Sequence, residues 1–166
     1  MSLELDIERI AMQERELHLP RFDADVAWSI GSRLREFAVA RRAGIVIDVR
    51  RFGQPLFYSA LPGTSPDNHA WVRRKINTVA RFHRSSYVIG LELQLQNKTL
   101  LEKYGLSLSH YAAHGGCFPL VVSGAGIIGC VTVSGIPQRA DHELVVEALC
   151  LETGRDYKTL ALPSTR

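Results

Sequence analysis

The sequence is poor in the features that announce a particular chemistry. Cysteine occurs three times (Cys117, Cys130, Cys150), an odd number without a C-x-x-C pair. That argues against a disulfide framework and for buried free thiols in a reducing compartment. No apolar run approaches the ~20 residues of a membrane span. The opening Met1-Ser2-Leu3-Glu4-Leu5-Asp6 is acidic and amphipathic, unlike a secretory signal or a transit peptide. These absences place the chain in the cytoplasm, off the membrane. Net charge is scarce as well: 20 Lys and Arg against 17 Asp and Glu leave +3. That permits an anionic ligand and does not call for nucleic acid. There is no H-E-x-x-H, no Walker loop and no paired-carboxylate spacing, and the hydroxyls of Thr132 and Ser134 have no base partner in view.

What is present is enough to fold. The 166 residues, 46% apolar and 22% charged, are sized for one domain, residues 1–166, with a proper core. Leu3, Ile7 and Ile10 predict a helix over residues 3–17 with one apolar stripe. Lying within residues 1–20, it is peripheral to the core elements and free to pack on a neighbouring copy. Asp23 caps a second helix carrying Val26, Ile30, Leu34 and Phe37, with Gly44 as its stop. Residues 45–49 and 55–60 read as a hairpin around Gly53. Ser65 and Pro66 open a strong helix running to about Arg84, with Val72, Ile76, Val79 and Ala80 inward and Trp71 and Phe82 alongside. Residues 88–95 read equally as helix or strand, and 97–104 as a short helix ended by Gly105. A second hairpin spans 117–122 and 127–133. Asp141 then caps a last helix whose inner face is Val145, Ala148, Leu149 and Leu151. This order predicts an α+β fold, an antiparallel sheet covered by helices.

Polar groups gather at the ends of these strands. His114-Gly115-Gly116 precedes one strand, Ser134-Gly135 ends another, and Asp141-His142 opens the last helix. The two glycines serve either a bend with positive φ or a close backbone approach to a ligand. His110, His114, His142 and Cys117 are the candidate metal or haem ligands. An extended chain sets His110 and His114 ~13 Å apart, so His114 alone remains, as an iron ligand or a histidine bonded to backbone. His142 points either outward or back toward His114. Arg73, Arg74, Lys75, Arg81 and Arg84 form a basic helix face. Within it, Lys75 shares its side with Trp71, Val79 and Phe82, and either snorkels over them or pairs with a ligand carboxylate. Gly124-x-Gly126-x-x-Gly129 matches a dinucleotide fingerprint in letters only, because a β-branched strand follows where the mechanism needs a helix.

Five patterns taken together resemble one family: residues 61–68 (Leu-Pro-Gly-Thr-Ser-Pro-Asp-Asn), 71–75 (Trp-Val-Arg-Arg-Lys), Ser85-Ser86, His114-Gly115-Gly116-x-Phe118-Pro119, and Gly129-x-Val131-x-Val133-Ser134-Gly135 with Asp141-His142. They resemble the haem-degrading-domain family (GlcG/HbpS-like proteins), in particular its uncharacterised branch, over roughly residues 5–155. The resemblance implies profilin-like α/β/α layers around the sheet, a symmetric homo-oligomer, and haem as a candidate cofactor; His114, from the reading of the residues, is the candidate metal ligand. The resulting expectation is a cytoplasmic, oligomeric small-ligand-binding protein. Its ligand site is expected at His114, Gly115, Gly116, Lys75, Arg73 and Ser134, for a small anion or haem. The alternatives are an assembly module acting through its arginine-rich helix, or an enzyme of small organic acids.

Overall fold

Alternation along one strand sets the layers. In β2 (Val46–Arg51) successive side chains point to opposite faces. Ile47 and Val49, with Ile45 just before them, join the main core beneath α2 (Ala24–Ala40) and α6 (Gln138–Thr153). Val46 enters a smaller cluster beneath α3 (Pro66–Phe82) with Val72, Ile76, Val79, Cys117 and Cys130. The computed structural model, which describes residues 2–164, is therefore a sheet between helical layers, as the α+β reading expected. Its strand order is β1-β4-β5-β2-β3.

Both expected hairpins form. β2 pairs with β3 (Gln54–Ala60), and β4 (Cys117–Val122) pairs with β5 (Gly126–Ser134), each antiparallel. β2 and β5 are joined antiparallel from Val46↔Ser134 to Arg51↔Gly129. At one edge, β1 (His18–Leu19) runs parallel to β4 through His18↔Val121. No periodicity shows in a two-residue strand, so this pairing is invisible in the sequence. The glycines of residues 124–129 lie in and after the β4–β5 turn, with positive φ at Gly124 and Gly126. All three cysteines are buried free thiols.

Several boundaries differ from the sequence reading. Helix α2 ends before Gly44: Arg42 takes the left-handed conformation and the Ala43 N–H closes on Ala38 O at 2.8 Å. The ambiguous stretch is helical, α4 (Ser86–Leu95), with the Ser85 side chain accepting from the Val88 N–H. A short α5 (Leu100–Tyr104) ends at Gly105 as expected. Ala80 of α3 is exposed, and the buried positions go to Lys75 and Thr78. Asp141 is no N-cap: α6 begins at Gln138 after Pro137. Leu151 faces solvent, while Leu144, Val146 and Cys150 are buried.

Helix α1 (Leu3–Glu16) spends its apolar stripe within the chain rather than on a neighbour. Ile10 is fully buried with Val88, Leu91 and Leu162, the last beyond the short α7 (Tyr157–Leu160). Its Gln13 reaches the core: Gln13 Nε2 donates to Leu160 O at 2.8 Å, which turns Gln13 Oε1 toward His142 Nε2, also 2.8 Å away. His142 thus points neither outward nor toward His114. It is fully buried beside Tyr87 and Phe118. Burial foremost, then the Arg139 charge, pushes its pKa down to about 3.

That depression carries a pH signature. The unfolded imidazole takes a proton near pH 6.5 and the folded one only near pH 3, so stability from this group is complete above pH 6.5. It is lost as pH falls toward 3. In His142→Gln the group is gone. The stability advantage of the native chain over that variant, measured by urea unfolding, should shrink by about 3 kcal/mol between pH 7 and pH 4.

Candidate functional site

The site forms where α3 crosses the ends of β4 and β5 and meets the start of α6. Helix α3 is fixed at its start by Pro66 and by the Ser65 N–H donating to Asn68 Oδ1 at 2.8 Å. Two turns on, Lys75 is carried beneath the helix and is 2% exposed. Its ammonium donates to Val133 O at 3.0 Å and to Asp141 Oδ2 at 3.1 Å. Asp141 Oδ1 accepts from the Ile136 N–H at 3.2 Å, and Oδ2 also faces the Gly135 N–H at 3.4 Å. One buried pair therefore joins α3, β5 and α6. Burial raises the Asp141 pKa to about 6, against the pull of Lys75 and the two N–H groups. Burial likewise lowers that of Lys75, against the pull of Asp141.

The glycines make room for this pair. At Gly116, φ is +128°, and a Cβ would stand 2.2 Å from Val133 O and 2.8 Å from Lys75 Nζ. At Gly115 a Cβ would meet Gln138 O at 2.1 Å, while its N–H donates to Gln138 Oε1 at 3.1 Å. Both residues serve close approach of chain to chain beside the site.

Above the pair opens a cleft of about 220 Å³ lined by Asn68, Trp71, Lys75, His114, Ser134 and Gln138, among others. His114 is exposed at its rim, edge-on to Trp71 at 5.0 Å. The Arg74 guanidinium lies over the same Trp71, 4.0 Å away. Partial burial, then the charges of Lys75 and Arg74, lowers the His114 pKa, so its imidazole is neutral at pH 7. His114 and Gln138 also border a second depression of about 340 Å³. Its wall is apolar (Leu91, Leu93, Leu100, Leu108, Ala113), with Lys98 and Thr99 beside it.

Of the residues expected from sequence, Lys75, His114 and Ser134 thus share one cleft, with Gly115 and Gly116 packed against its floor. Arg73 does not join them. It is exposed and lines a different hollow with Arg50, His69 and Asn77, because its position in α3 turns it away from Lys75. His110 is separate too, with its Nδ1 2.9 Å from Ser109 Oγ. Cys117 is buried and accepts from Thr132 Oγ1 at 3.1 Å. Among the described residues no three His, Cys, Asp or Glu side chains converge for a metal ion. Two further arginines of the basic face are engaged within the chain: Arg74 donates to Leu108 O and Arg84 to Glu92 Oε1, while Arg81 is exposed.

The sequence model described as haem degrading protein HbpS-like matches residues 22–150. The chain belongs to the HbpS-like family. Among its relatives, a UPF0303 protein of Acidobacterium capsulatum is 63% identical over 163 residues, covering 98% of this chain and 99% of that one. Another, of Paraburkholderia phymatum, is 60% identical over 162 residues, 98% of each. Of solved structures, Ybr137w matches with a TM-score of 0.85 at 26% identity over 92% of both chains. HbpS itself matches at 0.60 and 18% identity, covering 81% of this chain and 89% of that one. A PduOC–haem complex matches at 0.67 and 15%, covering 78% and 93%. The last two likenesses establish the HbpS-like fold, in line with the layered sheet the resemblance implied.

Asn68, Trp71, Gln138 and the structural part of Asp141 were missed in the sequence. The signal for Asp141 was the unsatisfied turn at Gly135-Ile136, whose N–H groups need an acceptor. Lys75→Met strands the Asp141 carboxyl in the interior and should cost about 3–5 kcal/mol in urea unfolding, whereas Lys75→Met/Asp141→Asn should recover at least half of it. Gly116→Ala forces a side chain into both Val133 O and a strained φ, so a loss of at least ~2 kcal/mol should appear in the same measurement.

Proposed function

We propose that this HbpS-like chain is a small-ligand-binding protein that captures a carboxylate-class anion in the Lys75 cleft. The observation that carries this reading is the polarity of the lining. The amide oxygens of Asn68 and Gln138 are already taken by the N–H groups of Ser65 and Gly115, so their NH₂ ends are left to donate. The Asp141 oxygens are turned to Lys75, Gly135 and Ile136. Lys75 has two acceptors for its three N–H groups, and the remaining one has the cleft to donate into. Donors thus outnumber acceptors, and a ligand rich in acceptor oxygens answers them. The volume is below the ~300 Å³ at which drug-sized ligands begin. Trp71 closes one wall. No catalytic step is assigned to the cleft.

Haem is a second reading, favoured by the neutral His114 standing where the cleft meets the apolar depression. The residues fit one-sided ligation: His114 would hold the iron, and Lys98 would face a propionate. Haem, when bound, supplies redox chemistry, and the leucine wall would keep water from it. Assembly with further copies belongs to the same proposal. Trp28 and Tyr58 are exposed at and beside the unpaired edge of β3, an apolar surface of the kind subunits cover. A cytoplasmic location is also proposed. No helix among the described residues is long and apolar enough to cross a membrane.

Trp71 reports on the cleft once the other tryptophan is replaced in Trp28→Phe. Acetate should then change Trp71 fluorescence saturably, and in Lys75→Met/Asp141→Asn the affinity should fall at least tenfold; an unaltered affinity would remove Lys75 from the site. Haemin titration should give a saturable Soret shift that His114→Ala weakens sharply. A featureless, non-saturating response would remove the haem reading and leave the anion reading standing.

A further inference from the structure

The cleft and the apolar depression share two wall residues, His114 and Gln138. On one side of that wall lie the donors of Lys75, Asn68 and Ser134. On the other lie the side chains of Leu91, Leu93, Leu100, Leu108 and Ala113. His114 is exposed, and among the described residues its imidazole has a ring contact to Trp71 and no hydrogen bond, so its side chain can turn without breaking one. Gln138 is fixed through a single bond to Gly115. His114 and Gln138 thus border both the Lys75 cleft and the leucine-lined depression, and the Gly115 N–H holds the Gln138 amide between them.

We infer that the two chambers form a single site for an amphipathic monocarboxylic acid, its carboxylate in the Lys75 cleft and its aliphatic or aromatic body along the leucine wall. This deepens the anion reading and rests on it. Chemistry favours such a ligand over a small inorganic anion because the donors occupy only one end of the joined space. A purely polar ligand would leave Leu108, the exposed leucine of that wall, in water, and a purely apolar one would leave the buried ammonium without its third acceptor. The joined space falls within the size class of small-molecule pockets, which bury most of a ligand's surface behind a few placed polar groups. Lys98 and Thr99 lie beside the leucine wall, where a polar substituent on the far end of the acid would meet them.

The test is a homologous series, acetate, butanoate, hexanoate and octanoate, titrated against Trp71 fluorescence in the Trp28→Phe protein. Affinity should rise along the series by up to about fourfold for each methylene that leaves water. Leu108→Asp places a carboxylate on the wall at an exposed position, so folding is preserved. In that variant octanoate should bind at least tenfold more weakly while acetate is unchanged. Acetate binding with no gain along the series, or a gain that Leu108→Asp leaves intact, overturns the joined site and spares the anion reading. Failure of acetate and octanoate alike to bind overturns both.

Discussion

The Lys75–Asp141 contact is the constraint around which this end of the molecule is arranged. A buried ion pair is weak evidence for stability on its own, since desolvating two charges offsets most of their attraction. Here the pair is supported by three further hydrogen-bonding groups, Val133 O and the N–H groups of Gly135 and Ile136. The consequences spread from it. Gly116 must lack a side chain because Val133 O and Lys75 occupy that space. The turn from β5 into α6 must pass close enough for Asp141 to reach its N–H groups. Helix α3 must keep its register so that Lys75 falls inward beside Val72 and Ile76. Removing either charge undoes requirements on three elements at once.

The same contact sets the polarity of the cleft. Once Asp141 is committed to the interior, the lining inverts in character: two amides and an ammonium all present hydrogens. His114 at the rim adds an imidazole whose pKa is lowered by partial burial first and by the Lys75 and Arg74 charges second. A second buried ion pair, Arg50 with Asp48, lies under the same helix but closes on itself through two short hydrogen bonds.

Much of the fold was legible because it rests on local rules. The Ser65-Pro66 start of α3, the Gly105 stop of α5 and both hairpins follow from caps, turns and alternation, which operate over a few residues. That Lys75, His114 and Ser134 come together was legible because polar groups beside strand ends and glycines tend to meet at one end of a sheet. What escaped depends on partners far away in sequence. Asp141 looks like an N-cap until Lys75, 66 residues earlier, is seen to claim it. Arg73 and Lys75 differ by two positions, and only the exact phase of α3 decides which faces the cleft. Gln13 and His142 are separated by 129 residues, and nothing local to either hints at the other. The two-residue β1 is set by the strand it lies beside.

The sheet order also constrains how the chain finds this structure. The two hairpins can close early, since each joins neighbours in sequence. The central β2–β5 seam cannot, because it brings Val46 to Ser134, and β1 can join β4 only after the seam's other half exists. Such non-local closure slows the search. Helix α1, whose Gln13 needs both His142 and Leu160 in place, has its binding surface made by the rest of the chain and docks last. During synthesis α1 then leaves the ribosome well ahead of the carboxyl-terminal helices it needs, and it waits in the open until they arrive.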